Sequence, residues 1–338
     1  MGEQTGSKMT AVLLVWGAVL VFAAANSVIQ LLTQYGAAHL VEGRNAISFC
    51  NVLFVGNLCA AVTLFTRFRK AWTREALGQL SGGDWVMMTV VALLSGALAP
   101  SFLFLAIENT TVTNVVLVGR LEPLLILLLG MLVLKDFPDK WAAGGTLLAV
   151  AGAVTAFVLQ GGGPETFGKG EYQAAAGAAT LALSTIISKR RLARIPLGIF
   201  STYRTALGTV FFFVAAVYLF GIGHFMDAFS PVLWQWMIVY GAVIVVGGQL
   251  LWFKGISTAA AQDISLATSF SPIAGLAFAF LLLDEVPTPA VLTGAAIILG
   301  GILCAQVGRV LERKLRERRE AGTAEAVEHE GAVVFRGV

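Results

Sequence analysis

The sequence is poor in charge, in cysteine and in histidine, and each shortage removes a class of protein. Only 13% of the 338 residues are charged and 57% are hydrophobic, which excludes a water-soluble globular domain. The three cysteines all lie inside apolar stretches, so we predict neither a disulfide framework nor a metal cluster. The sequence contains no GxxxxGK[ST] phosphate loop and no HExxH zinc motif, which argues against a nucleotide-driven pump and a zinc enzyme. We therefore expect no metal and no cofactor.

Long hydrophobic runs fill most of the chain instead. Ten of them can be marked, and each has about the 20 residues that a helix needs to cross the hydrocarbon layer. Because lipid cannot satisfy backbone polar groups, such runs are expected to be helices. The sequence thus predicts an all-α integral membrane protein with ten transmembrane helices. The runs are 11–32, 46–66, 85–107, 111–134, 141–160, 172–188, 197–220, 232–253, 264–283 and 288–307.

The second half of the chain repeats the first. Thr113–Val154 recurs 149 residues later as Gln262–Leu303 without a gap, and Pro123 aligns with Pro272. Each copy contains five spans, an odd number, so the second copy must enter the membrane from the opposite side. Two inverted five-helix repeats are therefore predicted, and inverted repeats are the architecture of alternating-access carriers.

The runs also predict how the chain is divided. We expect a cytoplasmic N-terminus, a first repeat, an extracytoplasmic linker, a second repeat and a cytoplasmic tail that begins basic and ends disordered. In that order the segments are 1–10, 11–160, 161–171, 172–307 and 308–338.

Basic residues concentrate in the loops of one side. The connections after the second and sixth spans and the C-terminal tail are rich in Lys and Arg, whereas the inter-span loops of the other side hold only Arg44 and Lys169. Because Lys and Arg stay on the cytoplasmic side, both termini are expected in the cytoplasm.

One combination of residues is typical of a known family. In the first copy, a span with Pro123 ends at Lys135-Asp136 and is followed by a span with Gly145 and Gly152. With their counterparts in the second copy, these elements resemble the EamA type of the drug/metabolite transporter superfamily over residues 10–307. The corner at Lys135-Asp136 departs from the Gly-Glu usual in that family. The resemblance implies a multi-pass carrier of small metabolites in the plasma (inner) membrane, commonly an exporter, with a cavity between its halves.

Three ionisable side chains lie within the apolar runs: Arg120, Glu122 and Arg204. Each costs roughly 2.5–3.5 kcal/mol near the centre of a membrane helix, so a lipid-facing position is improbable. Glu122 is a candidate for binding substrate or carrying protons, and a structural ion pair is the alternative. Arg120 could hold the charge of Glu122 in place, and Arg204 is a candidate for the cavity wall.

Several uncharged side chains complete the predicted substrate site. Asn26 and Gln249 could hydrogen-bond a solute or tie helices together, and Tyr203 could orient a ligand beside Arg204. Trp252 could form an aromatic wall or pack in the interior. Two further residues, Pro123 and Pro272, each remove a backbone hydrogen bond in mid-span, so kinks are expected there.

The leading hypothesis is a secondary carrier, not an enzyme, that exports small organic metabolites or drugs, with proton coupling. The buried charges weakly favour amino-acid-like, other zwitterionic or anionic solutes. A membrane-embedded enzyme on a lipid-linked substrate and a solute channel are the alternatives. The expected partners are a small-molecule substrate and membrane lipids, with no nucleic acid. A homodimer is possible, and the sequence does not decide the oligomeric state.

Overall fold

Ten long helices make up most of the computed structural model, which describes residues 2–41, 43–110, 115, 118–161, 168–192 and 194–334. We number them α1 to α10 in chain order. Their bounds are Gly2–Ala38, Phe49–Phe68, Gly82–Asn109, Leu121–Leu134, Lys140–Leu159, Lys169–Leu192, Leu197–Phe220, Pro231–Ile256, Ala261–Leu283 and Pro289–Val334. Short helices at Arg74–Gly78 and Ile222–Phe229 lie in two of the connections.

The predicted fold class is confirmed. Within the described part of the chain, eight helices are long and apolar enough to cross a membrane, and α4 is a shorter apolar helix. With α6 they form the ten spans of a multi-pass membrane protein. Because ten is even, both termini lie on one side, which we call the terminal face; the other side is the opposite face.

Polar side chains set several helix starts. Ser81 and Asp84 form a reciprocal capping box at the beginning of α3. At α5, the Asp139 carboxylate accepts a hydrogen bond from the Ala142 amide at 2.7 Å. Ser48 accepts one from the Asn51 amide at the start of α2. These caps satisfy amides that the helix itself leaves unpaired.

The first and last helices both extend beyond the apolar runs that predicted them. Helix α1 begins at Gly2, well before the apolar run that starts at residue 11. Helix α10 likewise continues beyond the apolar run that ends at residue 307, as far as Val334, and the division of the tail into a basic and a disordered part stays a prediction. Within the predicted linker, residues 162–167 lie outside the described residues.

Helix packing follows the inverted repeat. In the first half α1 packs against α8 and α9 of the second, and α6 packs in the same way against α3 and α4. Three pairs, α2 with α7, α4 with α9 and α5 with α10, join equivalent helices. The halves therefore interlock around a pseudo-two-fold axis in the membrane plane.

Local backbone conformation obeys the same symmetry. Lys135 and Asp284, which are 149 residues apart, end α4 and α9 in the left-handed region with φ values of 55° and 54°. Helices α3 and α8 each contain a π-helical turn, at Leu94–Leu98 and Gly241–Val246. Such turns displace side chains relative to a regular helix and are frequent at functional sites.

Glycine pairs hold α5 against α10. A Cβ added to Gly152 would lie 2.7 Å from the Gly294 carbonyl oxygen, and one added to Gly145 would lie 2.7 Å from the Gly301 carbonyl oxygen. Since Gly294 and Gly301 are the repeat counterparts of Gly145 and Gly152, the two contacts are exchanged by the symmetry. Small residues allow this close backbone approach in lipid.

We expect Gly152→Val to destabilise the protein by about 1–3 kcal/mol, because the added side chain would push α5 away from α10. The measurement is the thermal unfolding midpoint of the purified protein in detergent. Gly144→Val is the matched control, since a Cβ at Gly144 meets nothing within 4 Å. Equal midpoints for the two variants would contradict this packing role.

Candidate functional site

Pro123 lies in the first turn of helix α4, which begins at Leu121. Its ring nitrogen cannot donate to the Gly119 carbonyl, which would be its partner in a regular helix. That carbonyl instead accepts a hydrogen bond from the Glu122 amide at 3.1 Å, and the helix proper begins at Leu121. A regular helix would turn Arg120 about 200° away from Glu122, but the irregular turn lets both residues line the same space.

This space is a cavity with two adjoining lobes. The larger lobe, about 480 Å³, lies toward the opposite face, and the smaller, about 340 Å³, lies toward the terminal face. Six residues line both lobes and mark their junction: Ser95, Gly119, Arg120, Glu122, Leu181 and Arg204. All three ionisable residues of the predicted site therefore meet at one place.

Glycines in α3 and α7 bring Arg204 to the junction. A Cβ on Gly96 would lie 2.5 Å from the Gly208 Cα, so the two helices approach through bare backbone. The neighbouring residue of α3, Ser95, lies in the π-helical turn and accepts hydrogen bonds from Arg204 Nε at 3.2 Å and Nη2 at 2.7 Å. Ser95 was not among the residues predicted from the sequence, where its one signal is a serine next to a glycine in mid-span.

The other contacts of Arg204 are also with uncharged groups. Its guanidinium carbon lies 5.3 Å from the centre of the Phe253 ring, close enough for a cation–π interaction. Ser95 Oγ itself donates to the Val91 carbonyl at 2.8 Å, which leaves its lone pairs to face Arg204. Among the described residues no carboxylate lies within 4.0 Å of the arginine.

Three more of the predicted residues line the cavity. Asn26 belongs to the larger lobe, and Gln249 and Trp252 belong to the smaller. Gln249 is buried and donates to the Thr205 hydroxyl at 2.8 Å, so it also ties α8 to α7. Tyr203 lies elsewhere: its hydroxyl is 2.9 Å from that of Thr89, a packing contact between α7 and α3.

The two symmetry-related prolines differ in their surroundings. Pro272 lies inside an unbroken α9, whereas Pro123 lies in the first turn of α4. Ser271, the counterpart of Glu122, lines the smaller lobe. Ser265 of α9 donates to the Pro123 carbonyl at 2.8 Å and so ties the two helices together at the cavity.

Buried apolar residues lie between the cavity and the terminal face. Helices α1, α3, α6, α7 and α8 all contribute to this cluster, which includes Val15, Met88, Ile186, Phe200 and Ile256.

A polar network covers the same end of the protein. Arg309 of α10 donates to Asp139 at 2.8 Å and to Asp263 at 2.7 Å, and thereby joins the starts of α5 and α9. The Asp136 carboxylate accepts from the Ala261 amide at 2.7 Å. Lys189 donates to the Ala259 carbonyl. We call these contacts the terminal-face network.

Among the described residues, the ion pairs of Arg309 have no equivalent at the opposite face. At the opposite face, the repeat counterparts of Arg309 and Asp139 are the uncharged Gln160 and Thr288. Gln160 donates to the Ala156 carbonyl of its own helix at 2.9 Å. At this face Gln30 of α1 donates to Glu285, in the loop after α9, at 2.8 Å. The carboxylate of Asp136 is thus repeated as that of Glu285, whereas the ion pairs of Arg309 are not repeated by the symmetry.

In the described part of the chain, no group of three His, Cys, Asp or Glu side chains is placed to hold a metal ion. Cys50 and Cys59 are buried free thiols, and Cys304 is an exposed one.

The chain is similar to membrane transporters over nearly its whole length. The EamA-like transporter family matches residues 9–158 and again residues 168–306. An uncharacterized transporter of Synechocystis sp. is 42% identical over 328 residues, which span 95% of this chain and 93% of that protein. An uncharacterized transporter of Archaeoglobus fulgidus is 24% identical over 238 residues, 69% of this chain and 80% of that protein.

A solved protein structure shares the fold. It superposes on this chain with a TM-score of 0.67 at 19% identity, and the match covers 88% of this chain and 98% of the other. At that identity the likeness bears on the fold alone.

We expect Arg309→Gln to loosen the terminal face, because it removes both ion pairs of this side chain. A loss of about 1–2 kcal/mol from closure corresponds to a roughly 5- to 30-fold change in the open population. The reporter is Ser271→Cys in a Cys304→Ser background, labelled with a membrane-impermeant maleimide added on the terminal-face side of sealed vesicles. The labelling rate should rise by that factor.

Lys140→Gln provides the control for Arg309→Gln. Lys140 pairs with Glu312 on the same face at 3.5 Å, but its side chain is 71% exposed. Exposed pairs contribute little, so labelling should stay near the wild-type rate. Equal rates in the two variants would show that the Arg309 contacts do not close this face.

Proposed function

The chain belongs to the EamA-like transporter family, and from that premise we propose that it is a secondary active carrier that exports small organic solutes by alternating access. The observation that carries this proposal is the junction where Arg120, Glu122 and Arg204 meet between two inverted halves. Intramembrane ionisable residues that face a cavity mark substrate and ion pathways.

Exchange of conformation between the two halves supplies the transport step. The cavity reaches toward the opposite face while the buried cluster and the terminal-face network close the other end. If the halves exchange conformations, the terminal-face network opens and the Gln30–Glu285 side closes. The solute at the junction then faces the other compartment.

The junction favours solutes with an acidic group. An arginine fork matches the geometry of a carboxylate, and Arg204 lines both lobes. Glu122 can accept an ammonium group or a proton at the same junction. Amino-acid-like, other zwitterionic and anionic metabolites therefore suit the cavity.

We place the terminal face in the cytoplasm of the plasma (inner) membrane. Lys189, Arg190, Arg191 and Arg309 lie on this face, with most of the basic residues of the loops. The positive-inside rule supports that orientation.

The carboxylates at the terminal face already bind amides or arginines of the protein, which argues against the alternative of an enzyme there. Asp84 caps α3 and pairs with Arg191, Asp136 caps α9, and Asp139 binds Arg309. An acid/base pair for lipid-linked substrates would need such groups to be available to the substrate.

Glu122→Gln tests the proton coupling. We expect the amide, which cannot carry a proton, to reduce solute flux in proteoliposomes at least about tenfold and to remove its dependence on a pH gradient. The solute is identified first, by comparing metabolites in the medium of overexpressing and deletion cells. Glu108→Gln is the control, because Glu108 is exposed at the end of α3.

A pH dependence of flux that is unchanged in Glu122→Gln would remove this residue from the coupling mechanism. Single-channel currents in place of saturable counterflow would identify a channel and overturn the carrier itself.

A further inference from the structure

Arg204 carries a positive charge at the centre of the protein with no described negative partner. Its hydrogen bonds go to the Ser95 hydroxyl and its guanidinium lies over the Phe253 ring. Both of these groups are uncharged. A buried charge in a medium of low dielectric is costly unless it is paired.

The remaining charges of the junction leave an excess of positive charge. Arg120 and Glu122 line the same lobes. If these two balance, the charge of Arg204 remains. Helix α4 begins beside them at Leu121, so the positive end of its backbone dipole lies at the junction as well.

The guanidinium also has donors to spare. Nε and Nη2 both point to Ser95, while Nη1 has no partner among the described residues. Because the Ser95 hydroxyl gives its own proton to Val91, it acts on Arg204 only as an acceptor and fixes one edge of the guanidinium. The other edge stays available to a group in the cavity.

We propose that the junction is a binding site for one exchangeable monovalent anion, held by Arg204 and oriented by Ser95. The inference rests on the proposed function for its role: chloride occupies the site in the resting carrier, and the carboxylate of the solute displaces it. The two ligands share one chemistry, a compact single negative charge that accepts hydrogen bonds. Ser95 is a positioning residue, since it acts through Arg204.

Chloride itself is the probe. The thermal unfolding midpoint of the full-length purified protein is measured while chloride replaces gluconate at constant ionic strength. A ligand that binds only the folded state stabilises it by mass action, so the midpoint should rise by roughly 2 °C or more once chloride greatly exceeds its dissociation constant. Acetate then tests the carboxylate. If both ions use one site, their shifts are not additive.

Variants locate the site. Arg204→Gln should abolish the chloride shift, whereas Arg191→Gln, which removes an arginine paired with Asp84 on the terminal face, should keep it. Ser95→Ala should weaken apparent chloride affinity by roughly tenfold, the loss of one hydrogen bond to a charged group, and Ser95→Thr should restore it. A merely structural serine would lower the midpoint equally in chloride and in gluconate.

Three results would overturn the inference: no chloride-specific shift in the wild type, a full shift in Arg204→Gln, or additive shifts with acetate. If Arg204→Gln does not fold, the Ser95→Ala and Ser95→Thr pair decides the matter alone. Solute flux in proteoliposomes separates this inference from the carrier proposal. If the wild type binds chloride through Arg204 but transports no solute, the result supports the site and contradicts the carrier. If the wild type transports solute but does not bind chloride, the result supports the carrier and contradicts the site.

Discussion

The close approach of bare helix backbones is the constraint on which the rest of the structure depends. In lipid, apolar burial does not favour one helix neighbour over another, so helices must pack by fit. Glycines supply that fit between α5 and α10 and again between α3 and α7. The second contact brings Ser95 to Arg204, and the first holds the two halves together at the periphery. The position of the cavity and of its charges therefore depends on glycines, which have no side chain to hold the helices apart.

Much of the architecture could be predicted from the sequence, because its signals are local. Apolar runs indicated ten spans, and the offset of 149 residues reappears in the matching left-handed residues Lys135 and Asp284. The chemistry of Ser95 could not be predicted in this way, since it depends on a π-helical turn and on a neighbouring helix. The same limit misplaced Tyr203, whose hydroxyl faces Thr89 and not the cavity.

The helix arrangement follows the two-fold symmetry, but several charged residues do not. The helix pairing and the left-handed helix ends repeat, yet Arg120 and Glu122 have only Ser269 and Ser271 as counterparts, and Arg309 has Gln160. The charges at the cavity junction and the ion pairs of Arg309 are thus present in single copies on a duplicated frame. The two faces are therefore chemically different although their helices are related by a two-fold axis.

The reciprocal glycine contacts of α5 and α10 have a consequence for ancestry. Gly145 contacts Gly301 and Gly152 contacts Gly294, so each position meets the counterpart of the other. That is the rule of an isologous interface, in which one surface patch pairs with itself. A single five-helix unit with this patch already carries the interface of an antiparallel homodimer. Gene fusion would then preserve an existing contact, and a substitution at either site affects a surface that both halves must share.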